Sequence, residues 1–332
     1  MQAVTVGVIG VGRIGRLHIE NIRRFIPGVE FKAISDIYAD LDGIGEEFGI
    51  KDRYRDYRSL LADPSIDAVI IASSTDTHAE IAIAAAEAGK QIFCEKPVDP
   101  DPAKIMEVID AVSKAGVKFQ VGFNRRFDHN FRKVRQKVED GTIGDVHVVR
   151  VTSRDPAPPP IEYVKVSGGL FCDMMIHDFD MVRYLSGSEP VEIYASGAVL
   201  IDPAIGQAGD VDTAAVLIKF ENGAIGIIDN SRQAVYGYDQ RVEVFGSKGQ
   251  AVAFNDKPTT VEVSTSASVT TDKIPYFFLD RYTGAFVDQF KSFFDAVRSG
   301  ARTMVDEIDG LRSVEMALAA TESFKTGLPR KM

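Results

Sequence analysis

Three ionisable side chains recur at helical spacing near the middle of the chain. Asp173, His177 and Asp180 lie at positions i, i+4 and i+7, so they share one face if this segment is a helix. Most of the residues between them are methionine, isoleucine or phenylalanine. A charged stripe on an otherwise apolar helix is typical of a helix that faces a polar cavity, so we expect these side chains to line a site.

A lysine that follows a predicted strand completes a set of residues that could catalyse a reaction. Histidine accepts a hydroxyl proton, a neighbouring carboxylate fixes its tautomer, and an ammonium group favours a developing alkoxide. Lys96, Asp173 and His177 therefore predict alcohol oxidation with hydride transfer to a nicotinamide. Two alternatives are a satisfied core histidine and a zinc site. We expect no metal, because no set of Cys and His side chains completes a tetrahedral centre.

The first residues carry a glycine-rich turn between an apolar strand and a helix. In this Gly-x-Gly-x-x-Gly motif, Gly10 makes the tight turn, Gly12 lets a pyrophosphate approach the backbone, and Gly15 allows close packing of helix on strand. The phosphates would lie at the positive end of the helix that begins near Arg13. The motif predicts a dinucleotide site.

An acidic residue ends the next predicted strand, 21 residues after Gly15. The Asp36 carboxylate suits both hydroxyls of an adenine ribose and would repel a 2'-phosphate. The following Ile37 and Tyr38 supply no arginine for that phosphate, so we predict NAD rather than NADP. The alternative is a tight turn beside an ordinary surface aspartate.

Hydroxylated residues follow the next strand, at the edge of a parallel sheet where ligands bind. Ser73, Thr75 and His78 are candidates there, although Thr75 or Thr77 would also suit the N-cap of a helix. The complete set of predicted cofactor-binding residues is Gly10, Gly12, Arg13, Ile14, Asp36, Ser73, Thr75, His78, Glu95 and Lys96.

Strands and helices alternate through residues 1–123, which predicts a Rossmann domain with a parallel sheet covered on both faces. The predicted strands are Thr5–Ile9, Glu30–Ser35, Ala68–Ala72, Gln91–Cys94 and Lys118–Phe123. The predicted helices are Arg13–Ile26, Asp40–Phe48, Thr77–Ala88 and Pro102–Ala115. The overall fold class is therefore α/β followed by α+β.

Residues 124–332 predict a second domain, built on an open and mainly antiparallel sheet. After a helix at His129–Val138, the predicted strands are Val146–Thr152, Val191–Val199, Ala214–Phe220, Ala224–Ile228, Arg241–Phe245, Ala251–Phe254 and Val261–Val269. Asn222-Gly223 is a strong hairpin signal. Two helices follow, the first with Phe286, Phe290, Phe293, Phe294 and Val297 on one face.

Composition narrows the classes of function. The 332 residues include 45% hydrophobic and 26% charged residues, with a net charge of -10 that disfavours nucleic acid and anionic membranes. Only two cysteines occur, Cys94 and Cys172, which suits a reducing compartment. No export signal and no apolar run of about 20 residues is visible, so we expect a cytoplasmic protein.

At these residues the chain resembles the family of glucose-fructose oxidoreductase and inositol dehydrogenase. The resemblance covers essentially the whole chain, from the glycine motif through Glu95-Lys96-Pro97 to Gly168-Gly169 and Asp173 with His177. It is greatest to the inositol-oxidising members. The stretches that carry this are Gly122–Asp128, Arg154–Pro160, Ile176–Asp180 and Asp229–Tyr238.

The resemblance implies a two-domain enzyme that binds its substrate between a Rossmann domain and an open sheet. Lys96, Asp173 and His177 correspond to the family's catalytic triad, and a cis peptide is expected before Pro97. Substrate-binding positions correspond to Lys96, Arg125, Asp173, His177, Asp180 and Tyr238. Homotetramers through the open face of the sheet are common in the family, and Val191–Val199 and Val261–Val269 offer such a face.

The activity that the resemblance implies is NAD-dependent oxidation of myo-inositol to 2-keto-myo-inositol. Scyllo-inositol or a pyranose sugar is the alternative substrate, because Ser153 stands where some inositol dehydrogenases have a histidine. Arg125 and Tyr238 also have plainer interpretations, as a surface ion-pair partner and a packed sheet tyrosine. A sensor that binds NAD without catalysis is a further alternative, although such a protein would be expected to lose the lysine or the histidine.

Overall fold

The structure, a computed structural model, describes residues 3–332. The chain forms two compact units. The first comprises the described chain up to Asn124 together with Ala285–Val314, and the second comprises Arg125–Gly284 and Glu315–Met332. The grouping differs from the predicted ranges of 1–123 and 124–332 in two respects: Asn124 and Ala285–Val314 both belong with the first unit.

The first unit contains a six-stranded parallel sheet in the order β3-β2-β1-β4-β5-β6. Its strands are β1 (Val4–Ile9), β2 (Val29–Ser35), β3 (Asp52–Tyr54), β4 (Ala68–Ile71), β5 (Gln91–Cys94) and β6 (Phe119–Val121). Its helices are α1 (Arg13–Phe25), α2 (Leu41–Glu47), α3 (Tyr57–Leu61), α4 (His78–Glu87) and α5 (Pro102–Ala115). The strand order reverses between β1 and β4, the point where doubly wound sheets bind ligands. This confirms the predicted Rossmann fold.

The boundary of the first unit follows from the burial of a phenylalanine face. Phe290, Phe293 and Phe294 are fully buried and belong to the same hydrophobic cluster as Ile19 and Ile22 of α1. Burying an aromatic side chain of this size stabilises a fold by about 2–3 kcal/mol. The apolar face recognised in the sequence therefore completes the core of the Rossmann unit.

The second unit is built on a seven-stranded sheet in the order β12-β11-β7-β10-β9-β8-β15. Only β7 and β10 pair in parallel, and every other neighbouring pair is antiparallel. Its strands are β7 (Val146–Arg154), β8 (Pro190–Ala198), β9 (Thr213–Phe220), β10 (Ile225–Ser231), β11 (Asp239–Gly246), β12 (Gly249–Ala253) and β15 (Arg330–Lys331). Two further strands, β13 (Glu262–Ser264) and β14 (Val269–Thr271), lie outside this sheet. The predicted, mainly antiparallel sheet is confirmed.

Helices cover one face of this sheet. The remaining helices of the chain are α6 (His129–Glu139), α7 (Ile161–Val164), α8 (Gly169–Asp173), α9 (Ile176–Ser186), α10 (Pro203–Gln207), α11 (Phe278–Ser299) and α12 (Glu307–Thr326). Residues 285–299 of α11 and 307–314 of α12 belong with the first unit. Helix α9 packs on β7 and β10. On the opposite face the large side chains of Tyr194, Leu217, Ile225 and Phe245 are exposed. The sheet thus has one covered face and one open face, as its alternating sequence predicts.

The prediction of one strand over Val261–Val269 is wrong. The segment forms the separate hairpin β13–β14, whose residues are all exposed, and it adds nothing to the open face of the large sheet. The Thr265 hydroxyl accepts hydrogen bonds from the N–H groups of Ala267 and Ser268. This local bonding turns the chain where the alternating pattern suggested continuation.

Within residues 3–332, none of the helices combines the length and the apolar character that a membrane crossing requires.

Candidate functional site

The glycine loop after β1 is as tight as its motif predicts. Gly10 has a φ of +88°, and a Cβ there would lie 2.3 Å from the Ser73 nitrogen. A Cβ on Gly15 would lie 2.0 Å from the Gly10 oxygen. A Cβ on Gly12 would instead meet no protein atom within 4 Å. Two of the three glycines therefore serve the fold, and Gly12 is the one whose small size serves an approaching ligand.

The start of α1 suits an anionic ligand. Gly12 is the N-cap and has no side chain to accept from the free N–H groups, and the first turn contains no acidic residue. Because these N–H groups carry partial positive charge, they fit a pyrophosphate. The residues present therefore match the NAD that the sequence predicts. Arg13 is exposed and Ile14 half-buried at the same end of the helix.

Asp36 lies at the carboxyl end of β2, beside the glycine loop. Its Oδ2 accepts from the Val11 N–H at 2.9 Å, and its Oδ1 accepts from Tyr38 and Ala39 at 2.8 and 2.9 Å. Burial alone would raise the pKa of Asp36, but these N–H groups outweigh it and hold the pKa below its ordinary value. The residue is an ionised acceptor, as a ribose-binding carboxylate must be.

A basic residue that the sequence pattern did not indicate lies beside Asp36. The Arg55 guanidinium donates to the main-chain oxygens of Asp36 and Ala39, at 3.1 and 2.8 Å. It follows β3 rather than β2, so the search of the residues next to Asp36 did not reach it. The parallel pairing of β2 with β3 brings it there.

The hydroxyl groups of the loop after β4 contact each other and do not cap the helix that follows. The Ser73 and Thr77 hydroxyls are 2.8 Å apart, and neither Thr75 nor Thr77 caps α4 through its side chain. His78 is 2% exposed and hydrogen-bonds with the main-chain oxygens of Ser73 and Pro97. The capping interpretation is therefore not observed, whereas the histidine engages the backbone.

The segment that carries Lys96 follows β5, at the same edge of the sheet. The Lys96–Pro97 bond is cis, as expected. The Glu95 carboxylate accepts from the Lys96 N–H at 3.3 Å and lies 2.6 Å from the Nε2 atom of His18. Lys96 itself is half-buried.

In the second unit, Asp173 and His177 lie on two short helices rather than one. Met174 and Met175 both donate to the Leu170 oxygen, which ends α8 at Asp173, and α9 begins at Ile176. The prediction of one continuous helix through Asp173, His177 and Asp180 is therefore wrong, because doubled bonding to one carbonyl breaks the regular ladder. Asp173 and His177 are four positions apart in the sequence, and both are half-buried.

Asp173 is held by a phenol and a buried arginine. The Tyr163 hydroxyl donates to its Oδ1 at 2.9 Å, and the Arg232 Nη2 lies 3.9 Å from its Oδ2. The same Nη2 lies 3.6 Å from Asp210, whose Oδ1 accepts from the Leu170 N–H at the start of α8. Arg232 is almost completely buried. The Arg232 guanidinium therefore offsets part of the negative charge of Asp173.

Arg125 pairs with Asp178, a residue that the sequence analysis did not select. The Asp178 Oδ2 also accepts from Asn230 at 2.9 Å, and the Arg125 Nη2 donates to the Tyr238 hydroxyl at 3.4 Å. Burial raises the pKa of Asp178 despite Arg125, and raises that of Tyr238 to about 12. Arg125 is a partner in a buried ion pair, so its interpretation as a surface residue is excluded.

Asp180 and Ser153 are both occupied by neighbours. Asp180 is 1% exposed and accepts from the Arg126 guanidinium at 2.6 and 2.9 Å. Ser153 is fully buried in the middle of the sheet and exchanges hydrogen bonds with Gln240. Ser153 therefore belongs to a compact amide–hydroxyl pair.

A further carboxyl group in the second unit is perturbed. Burial raises the pKa of Asp155 to about 6, even though Arg232 and Arg125 oppose the shift; Asp173 and Asp178 add to it. Asp155 follows the end of β7 and was not selected from the sequence, where nothing distinguished it from other loop aspartates.

One acidic and histidine cluster lies outside these regions, in the part of the chain described by the structure. Asp128, His129 and Asp256 bring ligand atoms within 4.8 Å of one another. Arg281 pairs with Asp128 and lies 3.2 Å from Asp256, so a guanidinium already supplies the positive charge there.

Two families of sequences match the two parts of the chain. Residues 4–123 match an oxidoreductase family with an NAD-binding Rossmann fold, and residues 131–252 match the GFO/IDH/MocA C-terminal domain. The chain is 52% identical to the uncharacterized oxidoreductase YrbE of Bacillus subtilis, over 99% of this chain and 96% of that protein.

Proteins named as inositol dehydrogenases occur among the similar proteins. The chain is 49% identical to myo-inositol 2-dehydrogenase of Thermotoga maritima, over 96% of each. It also resembles the solved structure of scyllo-inositol dehydrogenase from Lactobacillus casei with bound NAD(H) and scyllo-inositol, with a TM-score of 0.93 and 30% identity over 99% of both chains. These matches span both units and include the NAD-binding fold. The chain therefore belongs to the GFO/IDH/MocA family of NAD-binding oxidoreductases.

Proposed function

We propose that this protein oxidises myo-inositol to 2-keto-myo-inositol with NAD as the hydride acceptor. The observation that carries the proposal is the near full-length similarity to an enzyme named myo-inositol 2-dehydrogenase, in a chain that retains Lys96, Asp173 and His177. An NAD-binding sensor without activity would have no use for this set.

In the proposed reaction, NAD when bound supplies the acceptor for a hydride from the ring carbon. His177 takes the proton from the hydroxyl on that carbon, so a secondary alcohol becomes a ketone. Asp173, held by Tyr163 and Arg232, orients His177 and stabilises it once protonated. The Lys96 ammonium lowers the energy of the developing alkoxide.

Arg125, as a donor, and Tyr238, as a donor or acceptor, are the proposed partners of the remaining ring hydroxyls. Their mutual contact and the pairing of Arg125 with Asp178 fix their positions before a substrate arrives. Asp180 enters the proposal through Arg126, because its carboxylate is buried against that guanidinium.

Scyllo-inositol is the second candidate substrate. It is favoured by the similarity to the Lactobacillus casei enzyme solved with bound NAD(H) and scyllo-inositol. The two isomers differ in the orientation of one hydroxyl, so the site must distinguish axial from equatorial oxygen. A pyranose presents a comparable run of ring hydroxyls.

We also propose a cytoplasmic homotetramer. The exposed Tyr194, Leu217, Ile225 and Phe245 on the open sheet face suit self-association. Both cysteines are free thiols, which suits a reducing compartment. Light scattering of the purified protein tests the assembly, and a monomeric mass would contradict it.

The direct test is the initial rate of NADH formation with myo-inositol, scyllo-inositol and glucose. We expect the highest kcat/KM with myo-inositol. A higher value with scyllo-inositol would reassign the isomer. Tight NAD binding without turnover across a panel of polyols and sugars would favour the sensor.

Lys96→Ala tests the chemistry independently of the isomer. We expect kcat/KM to fall by about 10³-fold, because the charge that favours the alkoxide is lost, while NAD still binds. Lys114→Ala, at an exposed position of α5, is the control and should keep full activity. Unchanged turnover in Lys96→Ala would eliminate the proposed mechanism.

A further inference from the structure

Two buried histidines have no part in the proposed chemistry. His18 lies in α1, which follows the glycine loop, and His78 is the first residue of α4, which follows the Ser73 loop. Their exposures are 0% and 2%. Both reach the same three-residue segment, Glu95–Pro97, from different helices.

His18 meets that segment through the Glu95 side chain. Its Nε2 lies 2.6 Å from the Glu95 Oε1, and its ring packs against Phe93 and Phe290, with centroids 5.7 and 4.7 Å away. Among residues 3–332, Nδ1 has no hydrogen-bond partner. A neutral ring with its proton on Nε2 satisfies this geometry, because it donates to the carboxylate and buries no unpaired N–H.

The carboxylate that His18 binds has little freedom. Its Oε2 accepts from the Lys96 N–H at 3.3 Å, and a Cβ on Gly122 would lie 2.9 Å from the same oxygen. The carboxylate therefore fills space that only glycine leaves open. Glu95 joins the buried His18 ring to the backbone of Lys96.

His78 meets the segment on its other side. Its Nδ1 lies 2.8 Å from the Pro97 oxygen and its Nε2 lies 3.1 Å from the Ser73 oxygen. Both partners are main-chain acceptors and a neutral ring has one N–H, so the ring donates to one of them and packs against the other, between the loop after β5 and the loop after β4. The two residues flanking Lys96 are thus each bound by a buried imidazole.

We propose that His18 and His78 are positioning residues that hold Glu95–Pro97 from two sides and thereby fix the location of the Lys96 ammonium. They act through Glu95 and Pro97 and touch no reacting atom. The proposal rests on the proposed function in one respect, namely that Lys96 serves the reaction. A displacement of about 1 Å at a catalytic group costs about 100-fold in rate.

His18→Phe keeps an aromatic ring among the phenylalanines and removes the donor to Glu95. We expect kcat to fall about tenfold to 100-fold and KM for NAD to change less than kcat, because the glycine loop is untouched and only the predicted contacts of Glu95 and Lys96 with the cofactor are disturbed. His18→Gln restores an N–H donor and should recover most of the loss. His78→Leu should lower kcat in the same way.

The matched control is Lys90→Met, at the amino end of β5. Lys90 is buried and its ammonium donates to the oxygens of Asp63 and Ile66, so the variant removes side-chain bonds to a loop at the opposite end of the same strand. Its kcat should stay within about twofold of the parent at a comparable loss of Tm. Equal losses of kcat in Lys90→Met and His18→Phe would overturn the proposal.

Glu95→Gln provides a second arm if His18→Phe fails to fold. In a double-mutant cycle, His18→Leu, which removes the donor to Glu95, and Glu95→Gln should lower kcat by no more together than the worse variant does alone. Independent, multiplying losses would mean that His18 does not act through Glu95, and would contradict the proposal.

An NMR readout separates this proposal from the proposed function. The Lys96 amide resonance should shift in His18→Phe and Glu95→Gln and stay in place in Lys90→Met, whatever the substrate. If the parent turns over no inositol but the Lys96 amide shifts, the function fails and the positioning role stands. An unshifted amide overturns the positioning role even in an active enzyme.

Discussion

The two units prepare their candidate residues by different means. In the first unit the main chain shapes the candidate site, because glycines leave room for a ligand and backbone N–H groups bind Asp36. In the second unit the work is done by buried charged side chains, such as Arg125 with Asp178 and Arg232 beside Asp173. A cofactor shared by many enzymes suits a backbone cradle, whereas a particular polyol needs side chains that evolution can exchange.

The comparison predicts that charge removal damages the second unit most. Arg232→Met should lower the free energy of unfolding by about 3–5 kcal/mol, because Asp173 and Asp210 lose their buried counter-charge. Denaturant titration measures this. Arg150→Met, on the exposed face, is the control and should cost about 0.5 kcal/mol or less. Equal losses in both variants would break the comparison.

Asp155 extends the comparison to the pH dependence of folding stability. Its folded pKa, about 6, lies above its unfolded value, so folding takes up a proton and wild-type stability falls as pH rises from about 4 to 6. Asp155→Asn abolishes that fall and should gain about 2–3 kcal/mol relative to wild type between pH 4 and 7. Asp36 contributes with the opposite sign, because its folded pKa is lowered. The folding stability that Asp36 provides is lost as pH falls through that folded pKa. Parallel stability curves for Asp155→Asn and wild type would contradict the assignment.

Gly12→Ala probes the backbone cradle of the first unit. A Cβ at Gly12 meets no protein atom, so Tm should stay unchanged while the Kd for NAD rises about 30-fold, which is about 2 kcal/mol. Calorimetry and fluorescence titration measure the two quantities. Gly249→Ala, equally unobstructed in the second unit, should change neither. A loss of Tm with unaltered NAD binding would reverse the role given to Gly12.

Asp36→Ala addresses cofactor choice. Loss of the carboxylate removes the repulsion of a 2'-phosphate and leaves Arg55 nearby, so the preference for NAD over NADP should relax by about tenfold, or about 1.4 kcal/mol. The ratio of the two kcat/KM values is the measure. A ratio equal to that of the wild type would show that Asp36 does not read the ribose.

The sequence predicted the first unit better than the second for a physical reason. The glycine motif and Asp36 act within a strand, a turn and a helix, where spacing alone determines geometry. Asp178 and Asn230 meet 52 positions apart, and Arg125 and Tyr238 meet 113 apart, so no local pattern announces them.

Local patterns also misled in two places. Helical spacing suggested one helix through Asp173 and His177, because it carries no sign that two N–H groups share the Leu170 oxygen. Alternation suggested one strand over Val261–Val269, because it does not weigh the turn made by the Thr265 hydroxyl. In both cases one hydrogen-bonding choice overrode a correct periodicity.

The short strand β15 has a practical consequence for handling the protein. Arg330 and Lys331 pair with Ile193 and Glu192 of β8, and so cover hydrogen-bonding groups at one border of the large sheet. An uncovered border recruits strands from other molecules and promotes aggregation. Removing these two basic residues, or attaching a purification tag that displaces them from β8, would cost little folding energy. We expect it to shorten the storage life of concentrated protein, because the uncovered border of the sheet favours aggregation.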